Sequence, residues 1–114
     1  MRYKVKKAHS PEDPGSLEIK KGERLGLQRL PTSWEGWVWC TSKEGKSAWV
    51  PESWVLIDRH TCTALRDYSS VELALRAGEE VAGDLTESGW IWVRDRRGNS
   101  GWAPLECLEV VGDE

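Results

Sequence analysis

Gly89-Trp90-Ile91-Trp92-Val93-Arg94-Asp95-Arg96-Arg97-Gly98-Asn99-Ser100-Gly101-Trp102-Ala103-Pro104 has a counterpart at Gly36-Trp37-Val38-Trp39-Cys40-Thr41-Ser42-Lys43-Glu44-Gly45-Lys46-Ser47-Ala48-Trp49-Val50-Pro51. Three tryptophans and a proline in each stretch stand the same 53 positions from their counterparts, with no gap. The chain therefore reads as a tandem repeat. In each copy alternating apolar residues run into a polar, glycine-containing turn, and a second short strand ends at proline. That is the pattern of a β-hairpin. Alternation puts Trp90 and Trp92 on one face and Ile91 and Val93 on the other. Trp102 is expected on the tryptophan face, cross-strand from Trp92, and Trp49 likewise opposite Trp39. Three indoles per copy are thus expected on the solvent side.

Working outward, residues 2–9 read as a first strand. Ser10-Pro11-Glu12-Asp13-Pro14-Gly15-Ser16 reads as the tip of a long loop. Leu17-Glu18-Ile19 is extended, Lys20-Lys21-Gly22-Glu23 a turn, and 24–29 a strand. After Pro51, Glu52-Ser53-Trp54 fits a 3₁₀ turn and Val55-Leu56-Ile57 a closing strand. Arg59-His60 is nearly all the linker there is before Thr61-Cys62-Thr63-Ala64-Leu65-Arg66-Asp67-Tyr68 opens the second copy. A strand at 81–84, a loop at 85–88 and a last strand at 108–111 follow. The first copy carries three extra residues before its hairpin, since Gly22 to Trp37 is longer than Gly78 to Trp90. The predicted division is 1–58 and 59–114, each near the lower size limit for a domain without metal or disulfides.

Composition narrows the function classes. The 114 residues include eight Trp and no Phe, and the net charge is −3. Ten Lys/Arg against eight Asp/Glu make 1–58 mildly basic, and six against eleven make 59–114 acidic. Neither half has the basic field that nucleic-acid binding needs. Cys40, Cys62 and Cys107 are odd in number and far apart, which suits free thiols in a reducing compartment. No signal peptide or membrane-spanning run is read, so the expected location is cytoplasmic. No cofactor or metal is expected: there is no Cys-x-x-Cys, and His60 with Cys62 makes too small a ligand set. The same His-Thr-Cys string lacks the oriented base and oxyanion site that a cysteine nucleophile needs.

The order of these segments resembles the Src homology 3 (SH3) domain, a five-stranded β-barrel, in two copies. Ala64-Leu65-Arg66-Asp67-Tyr68 is similar to the family's Ala-Leu-Tyr-Asp-Tyr, with Arg66 replacing the first Tyr. Glu72-Leu73, Gly78-Glu79-Glu80-Val81, Gly89-Trp90 and Pro104-Leu105-Glu106-Cys107-Leu108 follow the family's order. In the first copy Gly22-Glu23, Gly36-Trp37 and Pro51-Glu52-Ser53-Trp54-Val55 do so, with Trp54 at the Tyr position and His9 near the second Tyr. The resemblance implies an all-β chain of two small barrels. It implies a non-enzymatic module binding extended, proline-rich peptides between aromatic ridges, with loop acids pairing a basic ligand residue. Carried over, the peptide-binding set is Trp37, Trp49, Pro51 and Trp54 with Glu12, Asp13 and Glu18 in the first copy. In the second it is Tyr68, Glu72, Trp90, Trp102 and Pro104. Arg66 and Cys107 replace two ridge aromatics of the second copy, so the first is expected to be the better site. Other readings stay open: Trp39 and Trp92 packing units or subunits together, and the cell-wall binding of bacterial relatives of the fold.

Overall fold

The computed structural model describes residues 1–11, 17–30 and 35–112. Among the described residues there are twelve strands: β1 (Arg2–Val5), β2 (Glu18–Ile19), β3 (Arg24–Gln28), β4 (Trp37–Thr41), β5 (Ser47–Pro51), β6 (Val55–Asp58), β7 (Thr61–Ala64), β8 (Tyr68–Ser69), β9 (Glu80–Glu87), β10 (Trp90–Arg94), β11 (Ser100–Pro104) and β12 (Leu108–Gly112). Short 3₁₀ turns occupy Glu52–Trp54 and Leu105–Cys107. The fold is all-β, and among the described residues no helix is long and apolar enough to cross a membrane.

Two five-stranded antiparallel sheets have the same layout, β11-β10-β9-β1-β12 and β5-β4-β3-β7-β6, and β2 pairs with β8. In the first sheet β1 lies between β9 and β12. In the second the matching place, between β3 and β6, is filled by β7. The compact units follow the sheets. One is Met1–Pro14 with Val71–Glu114, the other Gly15–Ser70. The contiguous division at 58/59 therefore does not describe them: each unit takes one interior strand, β1 or β7, from the other half of the sequence. The local reason is the pair Arg59-His60. It is no linker but the tight turn of a β6–β7 hairpin, with Arg59 in the left-handed region at φ 59. Two residues is the commonest hairpin length.

Alternation sets the cores. Along β4 the burial runs half, full, half, full, with Val38 and Cys40 inward, and β10 does the same with Ile91 and Val93. In the Gly15–Ser70 unit Leu25, Leu27, Val50, Cys62 and Ala64 are buried as well. In the other unit Tyr3, Val5, Leu73, Leu75, Val81, Ala103 and Leu108 join Ile91 and Val93 in one cluster. Burying a Val, Leu or Ile side chain is worth about 1.5–3 kcal/mol, so these few positions carry most of the drive to fold.

One expected loop is strand. β9 runs through Glu87, and the turn to β10 is Ser88-Gly89, both in the left-handed region at φ 43 and 91. That is the backbone of a type I′ hairpin, which keeps the flanking strands paired to their ends.

Candidate functional site

Hairpin β4–β5 sets Trp39 opposite Trp49 and Trp37 opposite Pro51. The Trp39 and Trp49 rings meet edge to face, centroids 5.2 Å apart. Such a pair adds about 0.5–1.5 kcal/mol beyond its area. Pro51 then breaks the strand. Glu52 donates its N–H to the Gly36 carbonyl at 2.8 Å, and the 3₁₀ turn delivers Trp54. Trp54 is buried at 6% exposure.

What covers Trp54 comes from the segment after β7. Leu65 donates its N–H to the Trp54 carbonyl at 2.9 Å. Tyr68 stands perpendicular to the Trp54 ring with centroids 5.5 Å apart, and its hydroxyl donates to the Trp49 carbonyl at 2.7 Å. Arg66 holds Cζ 4.0 Å from the Trp54 ring centroid. Tyr68 and Arg66, read from the sequence as part of the second set, thus belong with Trp37, Trp49, Pro51 and Trp54. The reason is again the β6–β7 hairpin, which carries residues 61–69 into the Gly15–Ser70 unit. Glu18 lies across from Ser69 and is exposed. Glu12 and Asp13 lie outside the described residues.

The other unit builds a different cluster on an equivalent frame. Ala64 N–H to Glu23 carbonyl and Gly22 N–H to Ala64 carbonyl are matched by Val5 N–H to Glu79 carbonyl and Gly78 N–H to Val5 carbonyl. Lys6 N–H to Cys107 carbonyl matches Leu65 N–H to Trp54 carbonyl. Val5 thus stands for Ala64 and Cys107 for Trp54. Counting on, Lys7 stands for Arg66 and His9 for Tyr68. His9 meets Trp90 edge to face at 5.8 Å, and its Nε2 lies 2.8 Å from Glu72 Oε1. Glu72, expected as a ligand-pairing acid, is therefore engaged by His9, with its side chain only 14% exposed. Trp90 pairs with Pro104, and Trp92 meets Trp102 edge to face at 5.5 Å.

Trp102 corrects the expectation of three solvent-side indoles. It is 2% exposed. The segment 71–73 runs along β11, with Trp102 donating its N–H to the Val71 carbonyl and accepting from the Leu73 N–H. Trp37, Trp39, Trp49, Trp90 and Trp92 are half-buried. Sequence alternation assigns a face correctly but carries no sign of a distant segment laid across it.

The thiols are not poised for chemistry. Burial raises the Cys40 and Cys62 thiols above their ordinary range, and burial followed by the Glu106 charge raises Cys107, with Lys7 and Lys6 opposing. Among the described residues no cluster of three His, Cys, Asp or Glu could hold a metal. A cleft of about 200 Å³ lined by Gly78, Glu79, Glu80, Arg96 and Arg97 is smaller than the usual ligand pocket. Its charges already pair, Arg96 with Glu80 and Arg97 with Glu79. Compared with known proteins, the chain matches no family model, no curated protein and no solved structure.

Proposed function

We propose that this chain is a non-enzymatic, cytoplasmic interaction module of the SH3 kind, each sheet curling into a small barrel, and that it binds extended proline-rich peptides. The principal site is the pair of half-buried indoles Trp37 and Trp49, backed by the buried Pro51, Trp54 and Tyr68. The observation that carries this is the Tyr68–Trp54 pair, two rings at right angles beside a proline and a half-buried indole. The Tyr68 hydroxyl is tied to the Trp49 carbonyl, so the ring edge is held without help from a ligand. Pre-set aromatic walls suit proline rings, because the ligand's polyproline II form already has little entropy to lose.

His9 and Glu72 make the other cluster poorer. An imidazole engaged by a carboxylate replaces the tyrosine, and Cys107 replaces an indole with a small thiol. The test is a titration with an oligoproline peptide, read by the indole N–H signals and repeated with Trp37→Ala. Shifts led by Trp37 and Trp54 in the wild type, lost in the variant, support the reading. Shifts led by Trp90 and Trp102 move the principal site to the other unit. No shift with any proline-rich peptide turns the aromatic faces into packing surfaces.

A further inference from the structure

Among the described residues, the charge that lies directly on the aromatic cluster is a cation. Arg66 is exposed and makes no ion pair among the described residues; its guanidinium sits over the Trp54 ring. A guanidinium lying on an indole keeps its N–H edge open, and that edge matches the fork of a carboxylate. The acids nearest in sequence are occupied. Asp67 Oδ1 accepts the Lys21 N–H at 2.8 Å, and Glu52 pairs with Arg29 at 3.5 Å. Glu18, exposed across from Ser69, makes no described ion pair with Arg66.

Among the described residues, the other unit has a cation at the equivalent backbone place, without a ring beneath it. Lys7 holds the equivalent backbone place, is exposed, and lies near enough to Cys107 for its charge to act on that thiol. Two units that differ at Trp54/Cys107 and Tyr68/His9 both keep a cation between those positions.

We propose that the Trp37–Trp54–Tyr68 face selects an extended peptide whose proline-rich segment is flanked by a carboxylate, and that Arg66 is the residue that receives it. This rests on the peptide reading above and specifies the ligand's charge. Arg66 stays on Trp54 in the complex, so the acid of the ligand is received at the outer edge of the guanidinium while the half-buried Trp37 is left to line the neighbouring prolines. A ligand base in the same place meets a like charge.

The experiment uses the full chain and three peptides, each a run of prolines flanked by Glu, by Gln or by Arg. Affinity is read from the Trp37 and Trp54 indole signals at low and high salt. The Glu-flanked peptide is expected to bind about fivefold tighter than the Gln-flanked one at low salt, roughly the worth of one charge-assisted hydrogen bond, with the gap closing at high salt. Arg66→Glu should reverse the order in favour of the Arg-flanked peptide, and Arg66→Lys should keep the sign of the preference. Equal affinity for the Glu and Gln peptides, or tightest binding of the Arg peptide by the wild type, overturns the inference and leaves the peptide reading standing. No binding of any of the three overturns both. Arg66 is exposed, so both variants are expected to fold, and an unchanged wild-type spectrum away from the site checks it.

Discussion

Cys40 and Cys62 are 22 residues apart in sequence, yet their Sγ atoms lie 3.7 Å apart. They meet because Cys40 pairs with Leu27 and Cys62 with Leu25 on either side of β3, all inward. Burial holds both thiols protonated above the usual cysteine range, Cys40 further by the neighbouring Cys62. A disulfide-exchange probe should therefore label Cys40 and Cys62 no faster than the protein unfolds; rapid labelling of the native protein would contradict the packing. Since the folded thiols have raised pKa values, their contribution is whole below the unfolded value of about 8.5 and is lost as pH rises beyond it. Asp95 works in the opposite direction. Its burial favours the neutral acid. The Asn99 and Arg97 N–H groups, the Asn99 side chain and the Arg97 charge outweigh that and hold the carboxyl below its ordinary range. Its contribution is present above the unfolded value of about 3.9 and disappears as pH falls through the folded one. Asp95→Asn should flatten that acid limb in a plot of denaturant stability against pH, and an unchanged slope would count against the turn assignment.

At the scale of elements, the two hairpins share a register but differ at every inward position, most sharply where Ala48 of one is Gly101 of the other. Ala48 lies opposite Cys40, and Gly101 lies opposite Val93. A Cβ on Gly101 would come 2.8 Å from the Leu73 nitrogen and 3.1 Å from the Glu72 carbonyl carbon. Those are backbone atoms of the segment that covers Trp102, and they cannot step aside as a flexible side chain can. Gly101→Ala is expected to cost about 1–3 kcal/mol through this clash, with Trp102 becoming more solvent-exposed in fluorescence. Ala48→Gly should cost less, roughly 0.5–1 kcal/mol for backbone freedom plus a lost methyl. Urea midpoints of the two variants decide the order, and a harmless Gly101→Ala would mean that 71–73 does not lie on β11.

For the whole molecule, the question is why β1 and β7 sit where they do. In one sheet Tyr3 pairs with Val81; in the other Cys62 pairs with Leu25. Each pair joins a large side chain to a smaller one. Returning each strand to its own half of the sequence would set Tyr3 against Leu25 near Cys40 and leave Cys62 against Val81. One core would be overfilled and the other left with a void, each worth about 1–3 kcal/mol. The fragment 15–70, which holds every strand of its unit, should therefore unfold cooperatively and at higher urea than the fragment 1–58. Equal or greater stability of 1–58 would show that the strands are interchangeable.

The all-β class, the two hairpins, their cross-strand Trp pairs and the 3₁₀ turn after each proline were legible in the sequence. Period-two burial, glycine at turns and proline at strand ends are local signals, and both copies repeat them. The hairpin tryptophans were legible one by one for the same reason, while the peptide-binding role expected of them and of Trp54 and Tyr68 entered only through the resemblance. Their partners were not legible. Whether Arg59-His60 links two bodies or turns a hairpin depends on which sheet offers β7 the better-fitting neighbour, and that is a matter of side-chain volume across residues far apart in the chain. From that one turn follow the meeting of Tyr68 and Arg66 with Trp54, and the exchange of β1 for β7. The pairing of His9 with Glu72 and the covering of Trp102 by 71–73 are likewise long-range. Local pattern determined which faces are aromatic; only tertiary packing decided which of them are covered and which residues share a site.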